Sequence, residues 1–143
     1  MNVEDTIREL VDSAAIRELV RRYAHFVWQR DASGAVSLFA ENGEMDTGDR
    51  PVIRGHKALL EAYDEMFATS EFHPMVHNHV IDLRGNRATG TCYLDLRAVV
   101  DGKHMTGSGY YQDRYIRVGS EWKFQSRKLA MCYFVEATEK LTS

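Results

Sequence analysis

Between Val76 and Phe124 the chain alternates β-rich runs with tight turns, and this pattern sets what the rest can fold into. The turns are Gly85-Asn86, Asp101-Gly102 and Gly119-Ser120. Glycine paired with a small polar residue supplies the positive φ that two-residue hairpins need. The runs between them are rich in Val, Ile, Thr, Tyr and Leu, which suit a pleated, half-buried surface. Such an antiparallel meander has one face to bury and needs cover from elsewhere in the chain.

The cover lies upstream. Ile16, Leu19, Val20, Tyr23, Phe26 and Val27 recur at the three- and four-residue spacing of a helix face, and the pattern ends near Arg30. Val3, Ile7, Leu10 and Val11 continue it toward the N-terminus, with Asp12 or Ser13 available as a cap if a second helix starts there. Asp31 is placed to cap a short helix through Val36, Leu38 and Phe39. Short extended pieces, 43–46 and 52–54, flank the turn at Thr47-Gly48-Asp49. Gly55 opens a third helix with Leu59, Leu60, Tyr63, Met66 and Phe67 on its apolar face. Ser70, Glu71 and Pro74 read as a loop, and the last strand as Trp122 to Phe134, followed by a polar tail. Helices first and long strands later predict an α+β fold, a curved, mainly antiparallel sheet wrapped over N-terminal helices around an apolar pocket.

A chain of 143 residues suits one domain over residues 1–143. Its net charge of -3 offers no polycation for nucleic acid or an anionic membrane surface. No apolar run approaches the ~20 residues of a membrane helix, and the acidic N-terminus lacks a secretory pattern. Cys92 and Cys132 form neither a CxxC motif nor a disulfide framework, so a cytoplasmic setting is expected.

Polar groups with chemical capacity gather in the strands. His73, His77 and His79 stand at the entry to the meander, and by period two His77 and His79 share a strand face. Imidazole titrates near neutral pH, which fits a general base. Two imidazoles one residue apart could also hold a metal, but no acidic or cysteine ligand stands at diagnostic spacing to them, and no metal or other cofactor is expected. Tyr111, Asp113 and Tyr115 share a face of the third long strand, so Asp113 is either a buried acid flanked by phenols or a carboxylate paired with Arg114, Arg127 or Lys128. Cys92, Leu94, Leu96 and Ala98 suit the pocket side of their strand, leaving Asp95 and Arg97 outside. Asp46 and Asp49 read as turn formers, and Phe124 as core and pocket wall.

The runs RYAHFVWQRDASGAVSLFAENGEMD, IRGHKALLEAY, HNHVIDLRGNRATGTCYL and GYYQDRYIRVGSEWKFQSRKL resemble the SnoaL-like branch of the nuclear transport factor two-like superfamily. The resemblance spans roughly Ser13 to Tyr133. It implies a cone-shaped fold, a deep apolar pocket and a homodimer formed through the outer sheet face. Relatives include scytalone and bile-acid dehydratases, ketosteroid isomerase and non-catalytic binders. Tyr23 matches the family tyrosine that donates a hydrogen bond to substrate. The family Asp five residues later is here Trp28, and counting back from Asn78 puts the family histidine at Pro74, beside His73. The resemblance therefore implies a cofactor-independent lyase or isomerase acting on a small apolar cyclic or polyketide-like molecule. In it His79 or His77 would be base, Tyr23 and Asp113 would polarise oxygen, and Trp28, Leu94, Leu96, Tyr111, Tyr115 and Phe124 would shape the pocket. The alternative is a non-catalytic binding or accessory domain, which Trp28 in place of the acid favours.

Overall fold

The computed structural model describes residues 2–137. Helix α1, Val3–Trp28, is continuous. Asn2 caps it, its side chain accepting from the Asp5 amide at 2.9 Å, with Glu4 and Asp5 in the first turn. Asp12 starts no new helix: it is buried, accepting from Arg117 Nη2 at 2.7 Å and from Trp122 Nε1 at 3.2 Å. Arg30, at φ 57°, turns the chain out of α1, and Asp31 caps α2 (Ala32–Ser37) through the Gly34 amide. Helix α3 spans His56–Thr69 behind Gly55, whose φ of 86° favours glycine.

Among the described residues six strands follow the order β2-β1-β6-β5-β4-β3 in one unclosed, curved sheet. They are β1 (Phe39–Asp46), β2 (Ile53–Arg54), β3 (Ser70–Arg84), β4 (Arg87–Val100), β5 (Lys103–Val118) and β6 (Glu121–Glu136). All pairs are antiparallel except β1 with β6. The hairpin turns fall at the expected dipeptides, and Asp101 and Gly102 both take positive φ, as a type I′ turn requires. Helices α1 and α3 cover one face of this sheet. Ile16, Val20, Tyr23, Leu59, Leu94, Tyr115 and Phe124 meet there in one core. No described helix is long and apolar enough to cross a membrane.

Two local expectations need correction. Ser70 to Val76 is strand, not loop, and it pairs with Leu94–Val100. Pro74 is tolerated because β3 is an edge strand with an unpaired side. Period two also fails between Val76 and His79. Val76 pairs with Leu94 and His79 with Cys92, so His77 and Asn78 together oppose Tyr93 as a β-bulge. His79 consequently turns toward the helix-covered side, with Cys92, while His77 bonds to Asp95 on the outer side.

Candidate functional site

Between α1, α3 and the inner faces of β1, β3, β4, β5 and β6 lies a cavity of about 330 Å³. Its wall is mostly apolar: Val27, Met45, Met66, Phe67, Phe72, Leu96, Leu129, Met131 and Phe134. Pro74 closes one side, and Thr47, Asp49 and Arg50 come from the loop between β1 and β2. The phenols of Tyr23, Tyr63 and Tyr111 complete it.

Helix periodicity puts Tyr23 on the buried stripe of α1, and the same logic puts Tyr63 on that of α3. Their hydroxyls share a hydrogen bond of 2.5 Å. One O–H is consumed by that bond, so the pair retains one proton to donate elsewhere. Tyr111 makes no side-chain hydrogen bond among the described residues, so its hydroxyl is a second free donor on the wall. Burial raises the pKa of Tyr23, reinforced by Tyr63, and burial likewise raises those of Tyr63 and Tyr111. All three stay neutral at physiological pH and act as donors rather than bases.

Behind the phenols sits a charge pair with no side-chain exposure, Asp113 on β5 and Arg127 on β6, brought opposite each other by strand register. Arg127 Nε donates to Asp113 Oδ1 at 2.9 Å and Nη2 to Oδ2 at 3.2 Å. The guanidinium carbon lies 3.5 Å from the Tyr111 ring centroid and 4.5 Å from those of Tyr23 and Phe124. Its Nη1 has no protein acceptor among the described residues. Burial raises the Asp113 carboxyl pKa, with Arg127 and the Tyr115 hydroxyl pulling it back down. Burial opposes the charge on Arg127, and the Asp113 carboxylate overrides it, so the guanidinium stays protonated. Tyr115 donates to Asp113 Oδ2 at 2.8 Å and receives His79 Nε2 at 2.8 Å. Since the Tyr115 proton is committed to the carboxylate, His79 must donate from Nε2, which fixes its tautomer when neutral.

The residues proposed from sequence separate into two groups. Tyr23, Leu96 and Tyr111 lie on the cavity wall. His79, Asp113, Tyr115, Leu94 and Phe124 do not. Leu94, Tyr115 and Phe124 are core residues packed between sheet and helix, and Asp113 is tied up with Arg127. His79 belongs to a separate hollow bounded by Arg17 and Arg21 of α1. His77 bonds to Asp95, which also accepts from Ser108 at 2.5 Å. Trp28 is 47% exposed; its indole N–H is drawn to the Pro74 carbonyl at 2.7 Å and its ring stacks on His73 with centroids 4.2 Å apart. The two positions where the resemblance expects Asp and His are thus still in contact, as Trp28 and Pro74, but they hold no acid–base pair.

Sequence reasoning missed Tyr63, Met66, Met45 and Met131 as wall residues. A usable signal was the mixture of Tyr, Met and Phe on one face of α3, since flexible methionines beside phenols suit an adaptable wall as well as a core.

The SnoaL-like domain model matches residues 8–128. No curated protein matches the chain. Among solved structures, a Mycobacterium tuberculosis protein of unknown function is 26% identical, with a TM-score of 0.81 over 92% of this chain and 76% of that one. A candidate scytalone dehydratase from Novosphingobium aromaticivorans gives 18% identity and a TM-score of 0.84, covering 94% and 93% of the two chains. A type 2 hexachlorocyclohexane dehydrochlorinase gives 16% and 0.88, covering 96% and 97%.

Proposed function

The chain belongs to the SnoaL-like domain family, and we propose that within it this protein binds a small, mainly apolar cyclic molecule bearing one or two acceptor oxygens. The observation that carries this reading is the cavity wall: apolar surface with free phenol donors and, among the described residues, no imidazole. A volume of about 330 Å³ is at the lower end of small-molecule sites. The methionines and aromatics supply burial, and the spare proton of the Tyr23–Tyr63 pair orients a carbonyl or hydroxyl oxygen. The wall residues that meet a ligand most directly are apolar groups and neutral phenols, which hold and orient it, so binding is the primary reading.

One observation favours a second reading, lyase or isomerase chemistry. Asp49 puts a carboxylate on the wall beside Thr47, whose hydroxyl donates to it at 2.5 Å. That carboxylate is a candidate base facing a phenol-held oxygen, and the fold is shared with proteins named as a dehydratase and a dehydrochlorinase. The test pairs a bicyclic ketone such as 2-decalone with the matching hydrocarbon, decalin. The ketone should bind more tightly, and the Tyr23→Phe/Tyr63→Phe variant, which removes both hydroxyls of the pair, should cost it about tenfold, the worth of ~1.4 kcal/mol, without weakening decalin. Equal binding of the two would overturn the phenol role. Turnover of a β-hydroxy-ketone that vanishes in Asp49→Asn would move the protein to the second reading.

A further inference from the structure

A second hollow, of about 170 Å³, lies between α1 and the β3 bulge and shares no lining residue with the cavity. It has room for roughly five waters at ~30 Å³ each, enough for a small hydrated ion. Arg17 and Arg21 border it from α1, and His77 and His79 from β3.

Its charges are out of balance. Arg17 and Arg21 stand four residues apart on one helix face, an arrangement of like charges that destabilises a helix. Neither forms a salt bridge among the described residues, although Arg22 next to them pairs with Glu18. Among the described residues, the only carboxylate engaging this border is Asp95, already committed to His77 and Ser108. His79 spends Nε2 on Tyr115, and its Nδ1 makes no hydrogen bond among the described residues. The hollow is thus bordered by two arginines without a salt-bridge partner and by a ring nitrogen, and no described residue supplies it with an anion.

We propose that this hollow is a binding site for a small oxyanion, a phosphate or a carboxylate, held by Arg17 and Arg21 and by a proton taken up from solvent on His79 Nδ1. The Arg forks suit planar or tetrahedral oxygen pairs. In the unliganded protein His79 is kept neutral, its pKa lowered to about 4 by burial and then by the Arg127 and Arg17 charges. The other groups facing it are Arg21, His77, the Cys92 thiol, raised to about 11 by burial, and the Tyr115–Asp113 pair. An anion between the ring and the guanidinium groups cancels their repulsion and makes Nδ1–H a third donor.

The experiment titrates the intact protein with inorganic phosphate and, separately, with acetate, in chloride-free buffer at about pH 6.5, where free imidazole is half protonated. Calorimetry reads binding and imidazole NMR reads His79. The expected result is saturable binding of at least one anion, with the His79 titration midpoint moving up on saturation. Binding should weaken at least tenfold in the Arg17→Gln/Arg21→Gln variant, whose changes fall on exposed positions. Binding of phosphate alone or of both anions supports the site and sorts its preference. The proposal is overturned if neither anion binds, if His79 does not respond, or if the double variant binds as well as the parent. None of these readouts involves the ketone cavity.

Discussion

Replacing Asp113 by Ala should cost far more than replacing Arg127 by Met, although the two side chains are equally buried and joined by the same two hydrogen bonds. Both have 0% side-chain exposure, and Arg127 already carries one unpartnered nitrogen. Without Asp113, the guanidinium stays charged, because arginine does not deprotonate in proteins, and Nε and Nη2 lose their acceptors as well. Breaking a buried pair in this way costs about 3–5 kcal/mol, a large part of the ~5–15 kcal/mol that stabilises a domain. Without Arg127, Asp113 has an escape: burial already raises its pKa, and once the opposing guanidinium is gone the carboxyl protonates and keeps Tyr115 as a partner. That variant should lose about 1–3 kcal/mol. The double variant Asp113→Leu/Arg127→Met leaves no unpaired charge and should be more stable than Asp113→Ala alone. Urea unfolding reads all three. The sign of the pH effect follows from the raised carboxyl. Its stabilising contribution in Arg127→Met is full below the ordinary carboxylate value of 3.8 and is lost as pH rises through the folded value. Relative to wild type, Arg127→Met therefore gains stability as pH is lowered toward 3.8, and Asp113→Ala does not. Equal costs for the two single variants, or no relative gain for Arg127→Met in acid, would refute the argument.

Three further outcomes can be checked. Wild-type stability should fall as pH drops from 6.5 toward 4, because His79 binds its proton less readily folded than unfolded. The ring is only half buried, so the loss should be about 1–2 kcal/mol rather than the ~3 kcal/mol of an unscreened shift, and thermal melts of wild type against His79→Gln measure it. Gly109→Ala should cost about 2–3 kcal/mol in urea unfolding, since a methyl there runs into the Ala130 carbonyl at the bulge between β5 and β6. Trp28→Ala should lose about 1–2 kcal/mol with the Pro74 bond and the His73 stack, yet leave ketone affinity within about twofold, because Trp28 lies off the cavity wall.

The meander, its turn dipeptides, the α1 stripe with Tyr23 inward and the Asp31 cap were all legible, because each rests on short-range periodicity or on backbone conformations few residues accept. The Asp113–Arg127 pair was within reach as one of several cross-strand options, but choosing Arg127 over Lys128 needed the register across Tyr115 and Phe124, where the β5–β6 ladder shifts. The bulge at His77 and Asn78 was not legible. It turns on a single extra residue, and that residue separates two histidines that strict alternation puts together. Pro74 misled for a related reason: only the edge position of β3, a property of the whole sheet, lets a proline sit there. The cavity wall was half legible, since Tyr63, Met66 and Phe67 were recognisable as a helix face, but which part of that face meets an opening rather than a neighbour is set by the fold.

The most direct test follows the methionine methyl resonances while 2-decalone is added. Met45, Met66 and Met131 line the cavity, while Met75 and Met105 do not. Saturable shifts of the first three, with Met75, Met105 and the His79 ring unmoved, are the predicted result. Shifts centred on His79 with silent cavity methyls would contradict it and place the ligand in the hollow at the β3 bulge.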